Sequence, residues 1–218
     1  RADRKTSGRE SITAKLTANL LEKSGVDRVL AMDLHSAQIQ GYFDIPCDHI
    51  YGSPVLIDYL ESLNFAEVVV VSPDVGGVAR ARAFAKLMHD APLAIIDKRR
   101  SAHNIAESLT VIGEVKGKTA ILIDDMIDTG GTICSGANLL KKEGAKRIFA
   151  CASHAVFSPP SYERLSTKNL FEQVIVTNSI PVLVKDNFPQ LKILSVANML
   201  GEAIWRIHDE SSVSSMFR

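Results

Sequence analysis

Residues 67–74 read EVVVVSPD. Four β-branched residues in succession leave no polar position to face water, so the run suits a strand covered on both faces. DRVLAMDL reads as a short buried strand ending at Asp33, and PLAIIDK, KTAILIDD, AKRIFACASHA and FEQVIVTNS read as strands too. Between them lie helical stretches. SITAKLTANLLEKSG places apolar residues at 12, 16, 20 and 21, one helix face, with Gly25 as its stop. SPVLIDYLESL opens with Ser53 and Pro54, a cap and first-turn pair. A helix is expected over 76–89, another over GTICSGANLLKKEGA, a short one in SPPSYERLS, and a strand then a helix in LKILSVANMLGEAIWRIHD. Strands alternating with helices predict parallel α/β sheets built from βαβ units, flanked by helices. SAHNIAESLTVIGEVKG has no clean period and is read as including a mobile loop.

The chain has 218 residues, 46% of them hydrophobic and 23% charged, which suffices for a sizeable core. Lysine plus arginine equals aspartate plus glutamate at 25 each, so net charge supplies no argument for nucleic-acid or membrane-surface binding. Three widely spaced cysteines, Cys47, Cys134 and Cys151, form no CxxC or metal spacing. They suggest a reducing compartment, cytoplasmic or an organellar matrix such as a plastid. No apolar run is long enough to span a bilayer.

In parallel α/β sheets, ligands bind where strand carboxyl ends feed loops into helices. Four polar clusters fall at such places: Asp33–His35, Ser72–Gly77, Asp97–Arg100 and Asp124–Thr132. The last, DDMIDTGGT, carries most information. Adjacent carboxylates raise each other's pKa, so Asp124, Asp125 and Asp128 need compensation from a cation, hydroxyls or amides. Thr129 and Thr132 offer hydroxyls, and Gly130 and Gly131 let backbone N–H groups turn inward. A helix beginning near Gly131 adds the partial positive charge that suits a phosphate monoester. Asp124 and Asp125 can accept hydrogen bonds from vicinal hydroxyls, as on a ribose. The plainer reading is a turn with Asp128 as helix cap, but a cap needs one acid, not three. In SPDVGG, Asp74 precedes Gly76 and Gly77, which permit close backbone approach. In DKRR, Lys98 offers a point charge and Arg99 and Arg100 planar forks for phosphate.

DDMIDTGGT resembles the PRPP-binding motif of type I phosphoribosyltransferase-fold proteins. DLHSAQIQGYFDIPCD at 33–48, RADRK at the start, SPDVGG, DKRR and the ending SVSSMF resemble the ribose-phosphate pyrophosphokinase family along essentially the whole chain. The resemblance implies a type I phosphoribosyltransferase-like fold, plus the remnant of a second similar domain. Residues 1–51 would be the end of an N-terminal domain whose first part is lacking. Residues 52–205 would be a C-terminal domain with a ribose 5-phosphate site, and 206–218 a tail packing back on the first domain.

The implied activity is transfer of the diphosphoryl group of ATP to ribose 5-phosphate, giving PRPP and AMP, with Mg²⁺ as cofactor. The implied ribose 5-phosphate site is Asp124, Asp125, Asp128, Thr129, Gly130, Gly131 and Thr132. Arg1, Asp3 and His35 match ATP contacts; Asp74, Gly76 and Gly77 match the pyrophosphate loop. His35 and Asp74 match metal ligands, with Asp33, Asp44 and Asp48 as further positions sometimes assigned to metal. Lys98 and Arg100 match the residues that stabilise the transferring group, with Arg99 a spectator. Gln40, Ser212, Ser214 and Phe217 match positions near a regulatory phosphate or ADP site. The family implies a homo-oligomer, a hexamer built from dimers. The chain departs from the family at Ala2, where Gln is common, which puts one adenine contact in doubt. Rival readings are a phosphoribosyltransferase that consumes PRPP, a non-catalytic regulatory homologue, and an inactive piece of the enzyme. Arg80 and Arg82 are expected on a solvated helix face, and Met199 and Trp205 in the core. The histidines at 49, 89, 103, 154 and 208 are expected to be structural or exposed.

Overall fold

The computed structural model describes residues 2–5, 7–99, 108–183 and 188–217. By contacts the chain divides into two units, Arg1–Gly52 with Ala197–Arg218, and Ser53–Val196. The last long helix thus groups with the first unit, whereas the sequence reading carries the second domain through residue 205.

The first unit holds helix α1 (Thr13–Lys23), strand β1 (Val29–Met32), a 3₁₀ turn at Ala37–Tyr42 and strand β2 (Cys47–Ile50). Helix α6 (Ala197–His208) and a 3₁₀ turn at Val213–Phe217 belong to it too. β1 and β2 pair in parallel, from Val29 opposite Cys47 to Met32 opposite Ile50. Strand β2 is not legible in the sequence: CDHI has no β-branched run and little alternation, and its partner holds it extended. Leu16 and Leu20 on α1 stay half exposed or more. Trp205 on α6 is 56% exposed, and Met199 is only partly buried, so the expectation of a core position fails for Trp205.

The second unit is a seven-stranded sheet ordered β5-β4-β3-β6-β7-β8-β9. Its strands are β3 (Val68–Ser72), β4 (Leu93–Arg99), β5 (Ser108–Ile112), β6 (Thr119–Ile127), β7 (Arg147–Ala155), β8 (Gln173–Thr177) and β9 (Leu191–Leu194). All neighbours pair in parallel except β4 with β5. Helices α2 (Ser53–Ser62), α3 (Val78–Leu87), α4 (Gly131–Lys142) and the short α5 (Ser161–Leu165) complete the unit.

Because strand side chains alternate between faces, the apolar runs split into two cores. Val69, Val71, Ala120, Leu122, Ala150 and Ala152 lie in one with Leu140 of α4. Val70, Ile121, Ile123, Phe149 and Cys151 lie in the other with Leu56 and Phe84 of α2 and α3. This is the two-sided burial that the EVVVV run implies. β5 lies within the stretch expected to include a loop; as an antiparallel edge strand with exposed Ile112, it lacks the continuous apolar signature of the inner strands.

Candidate active site

The strand order reverses between β3 and β6. The chain leaves β3 toward β4 on one side, then returns to place β6 on the other. Ligands in open α/β sheets bind at the carboxyl ends of strands at such a switch point. Three of the four polar clusters, from β4, β3 and β6, end at this edge on adjacent strands.

β6 does not stop at the acidic pair. It continues to Ile127, because β7 still offers partners: Asp124 lies opposite Ala152, Met126 opposite His154 and Ile127 opposite Ala155. The Asp124 and Asp125 side chains therefore project from strand rather than loop. Asp125 is 3% exposed and Asp124 partly buried. Asp124 Oδ1 accepts a hydrogen bond from the Asp125 N–H at 2.9 Å.

The compensating cation comes from α3. Arg80 Nη1 donates to Asp124 Oδ1 at 2.9 Å and stands 3.4 Å from Asp125 Oδ1. Arg80 is therefore not on a solvated face, as the sequence suggests, but at the centre of the acid pair. No sequence signal carries this, because it depends on β3 and β6 being neighbours. Burial pushes the Asp124 carboxyl up to about 7, helped by the hydrogen bond and charge of Asp125 and opposed by Arg80.

Beyond β6 the chain turns through Asp128 and Thr129 into α4. Gly130 occupies the position before the helix with φ +73, a left-handed conformation that glycine adopts without strain. The residue at the cap position of α4 is thus Gly130, which has no side chain to cap the helix, and Asp128 stands two residues before it. The first-turn N–H groups of a helix have no intrahelical acceptor, which leaves these amides, with exposed Thr129 and Thr132, to face an anion.

Two residues missed in the sequence support this loop from α5. Arg164 Nη1 donates to the Thr129 carbonyl at 3.0 Å. A side chain at Gly131 would meet that same nitrogen at 3.4 Å, and one at Gly130 would touch Leu165. A second cation thus sits over the helix mouth.

After β3, Asp74 Oδ1 accepts from the Gly77 N–H at 2.8 Å, and Ser72 Oγ donates to the Asp74 carbonyl at 2.7 Å. A Cβ on Gly77 would lie 2.9 Å from Ser72 Oγ, so the turn is closed to larger residues. Gly76 is exposed beside Asp74. Lys98 is exposed near the end of β4, opposite Leu109. Arg1 and Arg100 lie outside the described residues.

In the first unit Asp3 and His35 come together. Gln38 donates to the Asp3 carboxylate at 2.7 Å, and the Tyr42 hydroxyl donates to the Asp3 carbonyl. Burial alone would raise the Asp3 carboxyl, but its own backbone N–H, the Ser36 hydroxyl and the charges of His35 and Arg4 leave it below its ordinary value. His35 is exposed. Asp33, with φ +41, accepts from the Gly52 N–H at 2.8 Å. Asp48 is held by a two-pronged contact from Arg28 at 2.6 and 3.2 Å, and the exposed Asp44 stands 3.5 Å from Lys15.

The remaining histidines divide. His49 accepts from the Leu34 N–H at 3.0 Å and stacks 4.5 Å from Tyr51; burial lowers its pKa. His154 lies 2.8 Å from Ser179 Oγ, and the exposed His89 is 3.1 Å from Glu61. Among the described residues no three His, Cys, Asp or Glu side chains converge to hold a metal. Gln40 Nε2 donates to the Ala37 carbonyl and approaches His49 Nδ1 at 3.4 Å. Ser212 and Ser214 meet through their hydroxyls at 3.0 Å, and Phe217 meets Tyr51 edge-on at 6.4 Å. Arg206 pins this tail through the Ser212 carbonyl and Ser215 Oγ.

A mostly parallel sheet with acid-rich and glycine-rich loops at its switch point defines a protein of the type I phosphoribosyltransferase-like fold. Comparison with known proteins narrows this. Residues 101–218 match the family model described as phosphoribosyl synthetase-associated domain. The whole chain is 94% identical over 218 residues to a ribose-phosphate pyrophosphokinase of Prochlorococcus marinus subsp. pastoris, covering 66% of it. It is 66% identical to ribose-phosphate pyrophosphokinase 1 of Spinacia oleracea, covering 65% of that protein. A phosphoribosylpyrophosphate synthetase structure from Mycobacterium smegmatis superposes with a TM-score of 0.90 at 44% identity, over 97% of this chain and 68% of that one. The chain belongs to the ribose-phosphate pyrophosphokinase family, and it spans about two thirds of the length of these relatives.

Proposed function

We propose that the intact protein is a ribose-phosphate diphosphokinase, transferring the β,γ-diphosphoryl group of ATP to the O1 hydroxyl of ribose 5-phosphate. The observation that carries the reading is the continuous path from the Asp124–Asp125 pair on β6 through the left-handed Gly130 to the amides at the start of α4. In it the 5-phosphate sits on the N–H groups of residues 130–132 with the Thr129 and Thr132 hydroxyls. Asp124 and Asp125 accept from the 2- and 3-hydroxyls. The sugar is thereby held with O1 turned toward the Ser72–Gly77 loop on neighbouring β3, which receives the diphosphate. Attack on the β-phosphorus in line with departing AMP needs positioning and charge neutralisation more than covalent chemistry.

Lys98 and Arg100 supply positive charge to the transferring group. In the first unit, Arg1, Asp3 and His35 are assigned to ATP. Mg²⁺ is commonly held by one or two carboxylates plus substrate phosphates rather than a dedicated cage. The exposed Asp74, with one oxygen on the Gly77 amide, fits that mode, and His35 is the second position proposed for it. When bound, Mg²⁺ supplies charge neutralisation at phosphate oxygens. The first 51 residues belong to an N-terminal domain in this reading, residues 52–205 form the sugar-phosphate domain, and the tail carries the regulatory positions Ser212, Ser214 and Phe217. Homo-oligomeric assembly and control by phosphate or ADP follow from the same family reading.

The test is an assay of AMP release and PRPP formation from ATP and ribose 5-phosphate with Mg²⁺. A PRPP-consuming phosphoribosyltransferase releases no AMP, and a regulatory homologue gives neither product. Absence of ribose-dependent AMP would sink the assignment.

A further inference from the structure

We infer that Arg80 is a positioning residue for sugar recognition: its guanidinium holds the Asp124 and Asp125 carboxylates in the arrangement that accepts a vicinal diol. The inference deepens the proposed function and rests on that reading of the acid pair. Three observations carry it. Arg80 Nη1 reaches both acids, at 2.9 and 3.4 Å, although they point from successive positions of one strand. Successive strand side chains ordinarily diverge to opposite faces, so one cation contacting both draws them toward a common direction. The contact is largely shielded: Asp125 is almost fully buried and the Arg80 side chain is 29% exposed. The guanidinium also lies beside the Asp74 turn: a Cβ on Gly77 would stand 3.9 Å from Arg80 Nη1, an ordinary contact distance.

Among the described residues, the charged groups bearing on Asp124 are Asp125 on its own strand and Arg80 from α3, while the β7 position beside it is Ala152. Arg80 is thus the cation that keeps the pair available as hydrogen-bond acceptors. With Arg80 gone, two close carboxylates in a partly buried site share a proton. A carboxyl that holds a proton is a weaker acceptor for a sugar hydroxyl than an ionised one. Arg80 sits on the helix that leaves the Asp74 turn, so the same side chain ties the diphosphate loop to the ribose acids.

The experiment compares the intact protein with its Arg80→Met and Arg80→Lys variants by calorimetry. Ribose 5-phosphate, 2-deoxyribose 5-phosphate and inorganic phosphate are each titrated from mildly acid to mildly alkaline pH. Arg80→Met is expected to weaken ribose 5-phosphate binding about tenfold or more. The 2-deoxy sugar and inorganic phosphate should lose much less, and half-maximal sugar affinity should move to higher pH. Arg80→Lys, which keeps the charge without the fork, should fall between and guards against a Met variant that fails to fold. Equal losses for all three ligands, or an unmoved pH midpoint in both variants, would overturn the inference while leaving the proposed function standing. An unaltered protein that does not bind ribose 5-phosphate would sink the proposed function and this inference with it.

Discussion

At the scale of single residues, Asp124 is the most informative group. Its carboxyl is raised to about 7, first by burial and then by Asp125. The folded state therefore binds this proton more tightly than the unfolded chain, whose aspartates titrate near 3.9. Between those two values the folded state carries more protons, so this group's contribution makes stability fall as pH rises through the window. Ligand binding runs the other way: ribose 5-phosphate affinity is expected to strengthen as pH rises toward and past neutrality, where Asp124 ionises. Replacing Asp124 by Asn should flatten both slopes, which thermal unfolding and calorimetry across pH would report. Gly130 allows a different check. With φ +73, an alanine there costs roughly 1 kcal/mol or more in backbone strain. Because the strain falls on the amides of the α4 mouth, Gly130→Ala should weaken inorganic phosphate binding beyond its modest effect on melting. Unchanged phosphate affinity would argue against the helix-mouth cradle.

At the scale of elements, the fit of α4 onto the sheet decides where the cradle stands. Gly136 lies on the buried face of α4, and a Cβ there would approach Ile96 Cδ1 of β4 to 2.8 Å and Leu122 of β6 to 3.6 Å. Valine at 136 overpacks this seam and should destabilise the protein by about 1–3 kcal/mol, read by denaturant unfolding. The helix mouth would be displaced along with it. Helix α5 holds the same loop from the other side. Arg164→Ala removes the donor to the Thr129 carbonyl and the cation over Gly131, so it should weaken phosphate binding by roughly tenfold while barely altering the melting temperature. An equal loss for an uncharged sugar would point to general loosening instead. The strand and helix types over most of the chain were legible, because buried runs and 3.6-residue periods are local properties. β2 and β5 were not, since a four-residue CDHI and the short mixed edge segment SLTVI become strands only when a neighbour offers backbone partners.

For the whole molecule, the expected chemistry depends on strand order. Lys98 near the end of β4, the Asp74 turn after β3 and the acid pair on β6 end side by side because those three strands are adjacent. Lys98→Ala in the intact protein is expected to lower turnover by roughly a hundredfold or more. Ribose 5-phosphate affinity should change little, because Lys98 acts on the transferring group; equal losses would count against that role. By itself the sequence determined the class of fold, the two-sided burial of the inner strands, and the acid–glycine turn with its chemical character. Each of these is written in contiguous residues, whose spacing and side-chain types act locally. Only the tertiary structure decided that Arg80 neutralises Asp124 and Asp125, that Arg164 braces the phosphate turn, and that Trp205 stays exposed. Those outcomes join residues far apart in the chain or depend on what packs against a helix. Pairing of β3 with β6, and the packing available around each element, had to be in place before they could exist.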